Sequence, residues 1–78
     1  MSLPLSELAV GQSGVVLGFE YEDNMTDRLM QLGIIEGVEI EVIRVAPYGD
    51  PIELNVAGYA LSMRKADAEI VLIQLSPT

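Results

Sequence analysis

The run Val38–Met63, VEIEVIRVAPYGDPIELNVAGYALSM, decides the fold. Val38, Ile40 and Val42 alternate with Glu39 and Glu41, the period of a half-buried strand, and the spacing predicts a strand over Val38–Ala46. Partway along, the apolar phase moves by one residue. Ile43 and Val45 are apolar around Arg44, which places them on the opposite face from Val42. A bulge near Val42–Ile43, or a strand leaving one sheet for another, accounts for the shift. Next, Ile52, Leu54 and Val56 alternate inward, Gly58–Tyr59 marks a turn, and Leu61 and Met63 point inward again, which reads as a hairpin.

Between these strands lies APYGDPIEL, Ala46–Leu54. A plain hairpin needs only two turn residues. Here Pro47 and Pro51 fix φ and cut the entropy of the unfolded loop, Gly49 permits a positive φ, and Asp50 is pushed toward extended geometry by the proline after it. Two readings are compatible with this stiffness. The loop is a rigid connector setting the angle between two strands, or it holds Tyr48 outward as a preorganised contact for a protein partner.

Upstream, EDNMTDRLMQLG reads as one helix of about two turns. Asn24 is its expected N-cap, with Asp27 three residues on and near the positive end of the helix dipole. Met25, Leu29 and Leu32 recur at helical spacing and form its expected buried face. Gly33 is expected to cap the C-terminus with a positive φ, and Glu36–Gly37 to turn the chain into the strand. So short a helix is unstable alone and must pack on a sheet. Before it, GVVLGFEY, Gly14–Tyr21, is a strand, with Gly18 hinting at a bulge. LPLSELAVG, Leu3–Gly11, reads as a short helical turn and a loop, with Leu3, Leu5 and Leu8 as a lid on one end of the core. Downstream, KADAE is a short turn or a single 3-10 turn, Glu69–Leu75 is the last strand, and SPT is a frayed tail. The expected fold is mainly β, a small barrel or sandwich of five to six short strands with one short helix, forming a single domain over residues 1–78.

Composition narrows the functional classes. Half of the 78 residues are hydrophobic, which suits a dense small core and leaves apolar surface for partners or self-association. The chain has no cysteine and no histidine, so disulfides and thiolate or imidazole metal sites are excluded, and an intracellular setting fits best. Twelve acidic residues face four basic ones, Arg28, Arg44, Arg64 and Lys65, for a net charge of −8. Such a surface disfavours nucleic acid and anionic membranes. No apolar run reaches membrane-spanning length, and the opening MSLPLSEL lacks the regions of a signal peptide. A cytoplasmic protein is expected. Four serines, Ser2, Ser6, Ser13 and Ser62, lack a histidine to activate them, and no phosphate loop is present, so catalysis and cofactors are not expected.

The ordered set Arg28 with Leu32–Gly33, Gly37, Pro47 with Gly49–Asp50–Pro51, Gly58, Arg64 and Asp67–Ala68, together with the opening PLSELAVGQSGVV, resembles the ferrous iron transport protein A (FeoA) family over nearly the whole chain. The resemblance implies an SH3-like barrel. It also implies a non-enzymatic cytoplasmic accessory to the membrane ferrous iron transporter, acting on or near its nucleotide-hydrolysing GTPase domain. A related fold forms the C-terminal domain of some iron-dependent repressors. A stand-alone metal-responsive regulatory module, or a peptide-binding SH3-like module, is the alternative.

The candidate partner-binding residues are Arg28, Tyr48, Asp50, Tyr59 and Arg64. The arginines are either structural, Arg64 pairing with Asp50 or Asp67 and Arg28 with Glu22 or Asp23, or forks for a partner's carboxylate or carbonyl. Tyr48 in the loop and Tyr59 at the hairpin tip are expected to be exposed anchors. Met30 or Ile34, off the helix's core face, would extend an apolar patch and favour a homo-oligomer. Without tryptophan, polyproline reading is disfavoured despite the barrel. Carboxylates cluster in Glu20–Asp23 and at Glu36, Glu39 and Glu41. These are a solvated acidic face or a weak hard-cation site.

Overall fold

The computed structural model describes residues 2–76. Six strands form one antiparallel sheet: β1 (Ser2–Pro4), β2 (Ser13–Phe19), β3 (Glu39–Val45), β4 (Ile52–Val56), β5 (Tyr59–Met63) and β6 (Val71–Leu75). Their order is β1-β6-β2-β3-β4-β5, so β1 and β5 are the edges. Two helices complete the chain, α1 (Asn24–Gln31) and the single turn α2 (Lys65–Ala68), and a 3-10 turn spans Leu5–Glu7. The mainly β expectation holds. Two local readings change: Ser2–Pro4 pairs with β6 as a strand, and Lys65–Ala68 is α-helical. Ser76 donates to the Ser13 carbonyl at 2.9 Å, so the expected fraying does not start there, and the rest of the SPT tail lies outside the described residues.

The phase shift in β3 and the glycine signal in β2 both mark bulges. The β3–β4 register slips between Val42 and Arg44. Ile43 is the extra residue and stands outward at 48% exposure, after which Arg44 pairs with Glu53 and Val45 with Ile52. In β2 the register against β6 slips between Val16 and Gly18. Bulges increase twist and bend a strand, and these two curve the sheet around a core that includes Leu5, Val16, Ile34, Ile40, Leu54 and Ile73, each fully buried.

Helix α1 begins one residue earlier than expected, with Asp23 rather than Asn24 as N-cap. The Asp23 carboxylate accepts from the Met25 and Thr26 amides at 2.9 and 3.1 Å, and the Asp23 amide donates to Thr26 Oγ1 at 2.8 Å. Of two neighbouring cap residues, the one whose N3 partner can reciprocate prevails. The same contacts satisfy the buried Thr26 hydroxyl, which donates to the Asp23 carbonyl at 2.9 Å. Replacing Asp23 by alanine is expected to lower the unfolding free energy by about 1 kcal/mol, while Asn24→Ala leaves it near wild type; urea unfolding curves of the two variants check this.

The other end of α1 corrects two side-chain expectations. The Ile34 amide donates to the Leu29 carbonyl at 3.1 Å and the Gly33 amide to Met30 at 3.0 Å, with Gly33 at φ +103°. This is a Schellman cap, whose hydrophobic contact joins the residue after the glycine to the one five positions earlier. Ile34 and Leu29 are therefore both buried, and Ile34 adds nothing to a surface patch. Leu32, assigned to the buried face, is the C-cap and stands 42% exposed. Met30 is half-buried.

Candidate functional site

A cleft of about 320 Å³ lies between α1 and the edge strand β5. Met25, Arg28 and Leu32 border it from the helix, spaced at i, i+3 and i+7 so that they share one side of α1. Leu61 and Met63 supply apolar surface from β5, and Ser62, Arg64 and Asp67 supply polar groups. Two residues far apart in sequence, Arg28 and Arg64, are thus brought to one site. They are two of only four cations in the chain.

The two arginines differ in how they are held. Arg64 follows β5 and precedes α2, and its carbonyl accepts the Asp67 and Ala68 amides at 3.0 and 3.1 Å. Its Nε lies 3.2 Å from Asp67 Oδ2, one turn along α2, so the expected pairing with Asp67 forms. Arg28 has no ion pair among the described residues: neither Glu22 nor Asp23 engages it, and the Asp23 carboxylate is turned onto the helix N-terminus instead. The other ion pair described joins Arg44 and Glu53 across β3–β4 at 3.1 Å, in open solvent where such pairs stabilise little.

Asp50 does not reach Arg64 as an ion-pair partner. Its carboxylate accepts the Lys65 amide at 3.0 Å, tying the Pro47–Pro51 loop to the start of α2. The loop is further closed by the Ala46 amide on the Pro51 carbonyl at 3.1 Å and the Gly49 amide on Ala46 at 2.7 Å. Proline at the second turn position and glycine at the fourth suit such a turn. Tyr48 protrudes from it, 97% exposed.

Tyr59 is not at the hairpin tip. It opens β5 opposite Val56, and the two-residue turn is Ala57–Gly58, with φ +50° and +98°. Positive φ at both central residues is the hairpin turn that matches strand twist, and Asn55 Oδ1 accepts the Gly58 amide at 2.9 Å. The tyrosine is 44% exposed, and its hydroxyl rests against Gly33, where an added Cβ would sit 2.6 Å from it. Its phenol therefore braces the end of α1.

Sequence reasoning missed the cleft roles of Leu32 and Ser62. Only the helical spacing of Leu32 from Arg28 signalled its place. The carboxylate runs do not converge: no group of three acidic side chains that could hold a metal ion occurs among the described residues. No helix among them is long and apolar enough to cross a membrane.

Comparison with known proteins gives the family and the fold. The family model for the FeoA domain matches residues 3–75. The chain is 31% identical over 71 residues to a Fe(2+) transport protein A/Fe(2+) transporter FeoB fusion protein of Porphyromonas gingivalis, a match covering 91% of this chain but 8% of that relative's length. Its fold is similar to the FeoA-like protein of Clostridium acetobutylicum, with TM-score 0.91 and 34% identity, covering 99% of this chain and 90% of that one. It is also similar to the zinc complex of FeoA from Stenotrophomonas maltophilia, described as a prokaryotic SH3 domain protein, with TM-score 0.80 and 28% identity, covering 92% and 89%.

Proposed function

The chain belongs to the FeoA family, which is associated with ferrous iron transport, and on that premise we propose that it is a non-enzymatic adaptor binding the cytoplasmic part of the ferrous iron transporter and modulating it. One observation carries the reading: in the Porphyromonas gingivalis relative, a segment similar to this chain is joined covalently to the transporter FeoB. Fusion raises the effective concentration of two modules that act on one another, and a separate chain performing the same task needs a surface that recognises its partner. The cleft with Arg28 and Arg64, and the Tyr48 loop tied beside it through Asp50 and Lys65, supply that surface. Tyr59 contributes by fixing the helix that forms one wall.

Binding of the purified chain to the transporter's GTPase domain, measured by biolayer interferometry without nucleotide, with GDP and with a GTP analogue, tests the proposal. Nucleotide-dependent binding is the expected result. Tyr48→Ala and Arg64→Ala are expected to weaken it about tenfold each. Neither should unfold the chain, because Tyr48 buries almost nothing and the Arg64 side chain is mostly exposed, so its loss removes little packing. Unchanged affinity in both variants would exclude this surface.

A further inference from the structure

We propose that the free edge of β5 accepts an extended, acidic peptide segment as a seventh strand, with alternate side chains turned toward the arginine-flanked cleft beside α1. The identity of the peptide's owner rests on the adaptor reading; the edge site itself does not.

Three observations converge on β5. It is paired on one side only, with β4, so the backbone groups of Tyr59–Met63 that point away from β4 have no strand partner. Such an edge is a template for strand addition unless it is covered or blocked. No proline interrupts β5, and no charged residue lies within it.

The second observation concerns its faces. Leu61 and Met63 point toward α1 and the arginine-flanked cleft, while Ala60 and Ser62, by alternation, lie on the opposite face, with Ser62 also reaching the rim of the cleft at the strand edge. A second recess, of about 380 Å³, is bordered by Ile43, Glu53, Leu54, Ala60, Leu61 and Ser62, so it lies over β3, β4 and β5, inside the edge rather than beyond it. An added strand alongside β5 therefore meets the cleft on one face and the small Ala60 and Ser62 side chains on the other, and strand addition derives its specificity from what alternate side chains meet.

Charge is the third. Two of four cations in a chain of net charge −8 border the inner cleft. Asp67 borders it too and is paired with Arg64, whereas the Arg28 guanidinium carries no ion pair among the described residues. A carboxylate on the cleft side of the added strand meets that guanidinium, and the apolar residues that alternate with the carboxylates lie beside Ala60 and Ser62. A second copy of this chain is a poorer occupant, because Tyr59–Met63 has no carboxylate to offer the arginines.

The test is an amide NMR titration of the whole chain with a terminally blocked octapeptide alternating valine and glutamate. Comparison peptides carry lysine in place of glutamate, or N-methyl groups on alternate backbone amides. The expected result is binding with a Kd below about 1 mM, shifts centred on Tyr59–Arg64 and the Arg28 side of α1, and slowed hydrogen exchange of the β5 amides that β4 leaves unpaired. The lysine peptide, the N-methylated peptide and the Arg28→Glu variant should each bind about tenfold more weakly or worse. Equal binding of the N-methylated peptide, shifts away from β5, self-association through β5 or no binding each overturns the proposal. Repeating the exchange measurement with the transporter's GTPase domain separates the two readings. Binding that leaves β5 unprotected removes the edge site and keeps the adaptor; peptide capture at β5 without any binding of that domain keeps the edge site and removes the domain as partner.

Discussion

Gly14→Val is expected to abolish folding, and Gly14→Ala to lower the unfolding free energy by about 3 kcal/mol. Gly14 is buried in β2, opposite Leu75 of β6 and Ile40 of β3. A Cβ at this position would collide with the Ile73 side chain and sit 2.6 Å from the Gln74 carbonyl oxygen. The methyl of Ile73 could rotate. The Gln74 carbonyl belongs to the neighbouring strand's backbone and cannot move without parting β2 from β6. Because that contact is made to a main chain, the cost does not depend on a particular rotamer. Urea unfolding followed by circular dichroism measures it. A Gly14→Ala midpoint equal to wild type would show that β2 and β6 do not approach as closely as described.

The second large effect concerns the start of the chain. Leu5→Ala is expected to destabilise by about 2–5 kcal/mol, against a total stability of about 4–12 kcal/mol for a domain of this length. Leu5 sits in the 3-10 turn between β1 and β2 and is 0% exposed. The turn that carries it packs against α2 and β6, which come from the other end of the chain. In a domain this small a single emptied core position is a large fraction of the margin. Leu3, half-buried beside it, should cost clearly less. Equal midpoints for the Leu5 and wild-type chains would mean that the N-terminal segment does not seal the core. If Leu5→Ala leaves the chain unfolded at room temperature, Leu5→Val, a smaller truncation, keeps the comparison measurable.

Both effects run through contacts between the first fifteen residues and the last twenty, and these were the least legible from composition. The lid formed by Leu3, Leu5 and Leu8 was readable from their apolar spacing, yet the pairing of Ser2–Pro4 with β6 was not. Three residues carry too little periodicity to announce a strand. The β3 bulge was legible because a phase change of one residue is visible in any half-buried strand, and Ile43 marks it. In α1 the pattern indicated a helix, while the choice between Asp23 and Asn24 depended on Thr26 folding back, a geometry that adjacent cap residues do not distinguish in a linear string. Leu32 failed for a related reason. Helical spacing assigned it to the core, but the Schellman turn rotated Ile34 into that place and left Leu32 beside the cleft.

Of the site, the sequence named Arg28, Tyr48, Asp50, Tyr59 and Arg64 one by one, and it offered Asp67 and Asp50 as alternative partners of Arg64, of which Asp67 forms the pair. It did not foresee that Asp50 would be spent on the Lys65 amide, fifteen residues away. Nor did it foresee that Tyr59 would lie against Gly33.

The amino-acid sequence by itself determined the mainly β class, the short helix and both bulges, because period, turn chemistry and capping are written in neighbouring residues. Family membership and the acidic character of the surface were also set at that level. Only the tertiary structure decided that Arg28 and Arg64 share a cleft, that β5 is an edge, and that the cleft lies beside that edge. Those features depend on which strands find each other across long stretches of chain and which one is left without a neighbour. That outcome is settled by how the whole core closes, and no local pattern carries it.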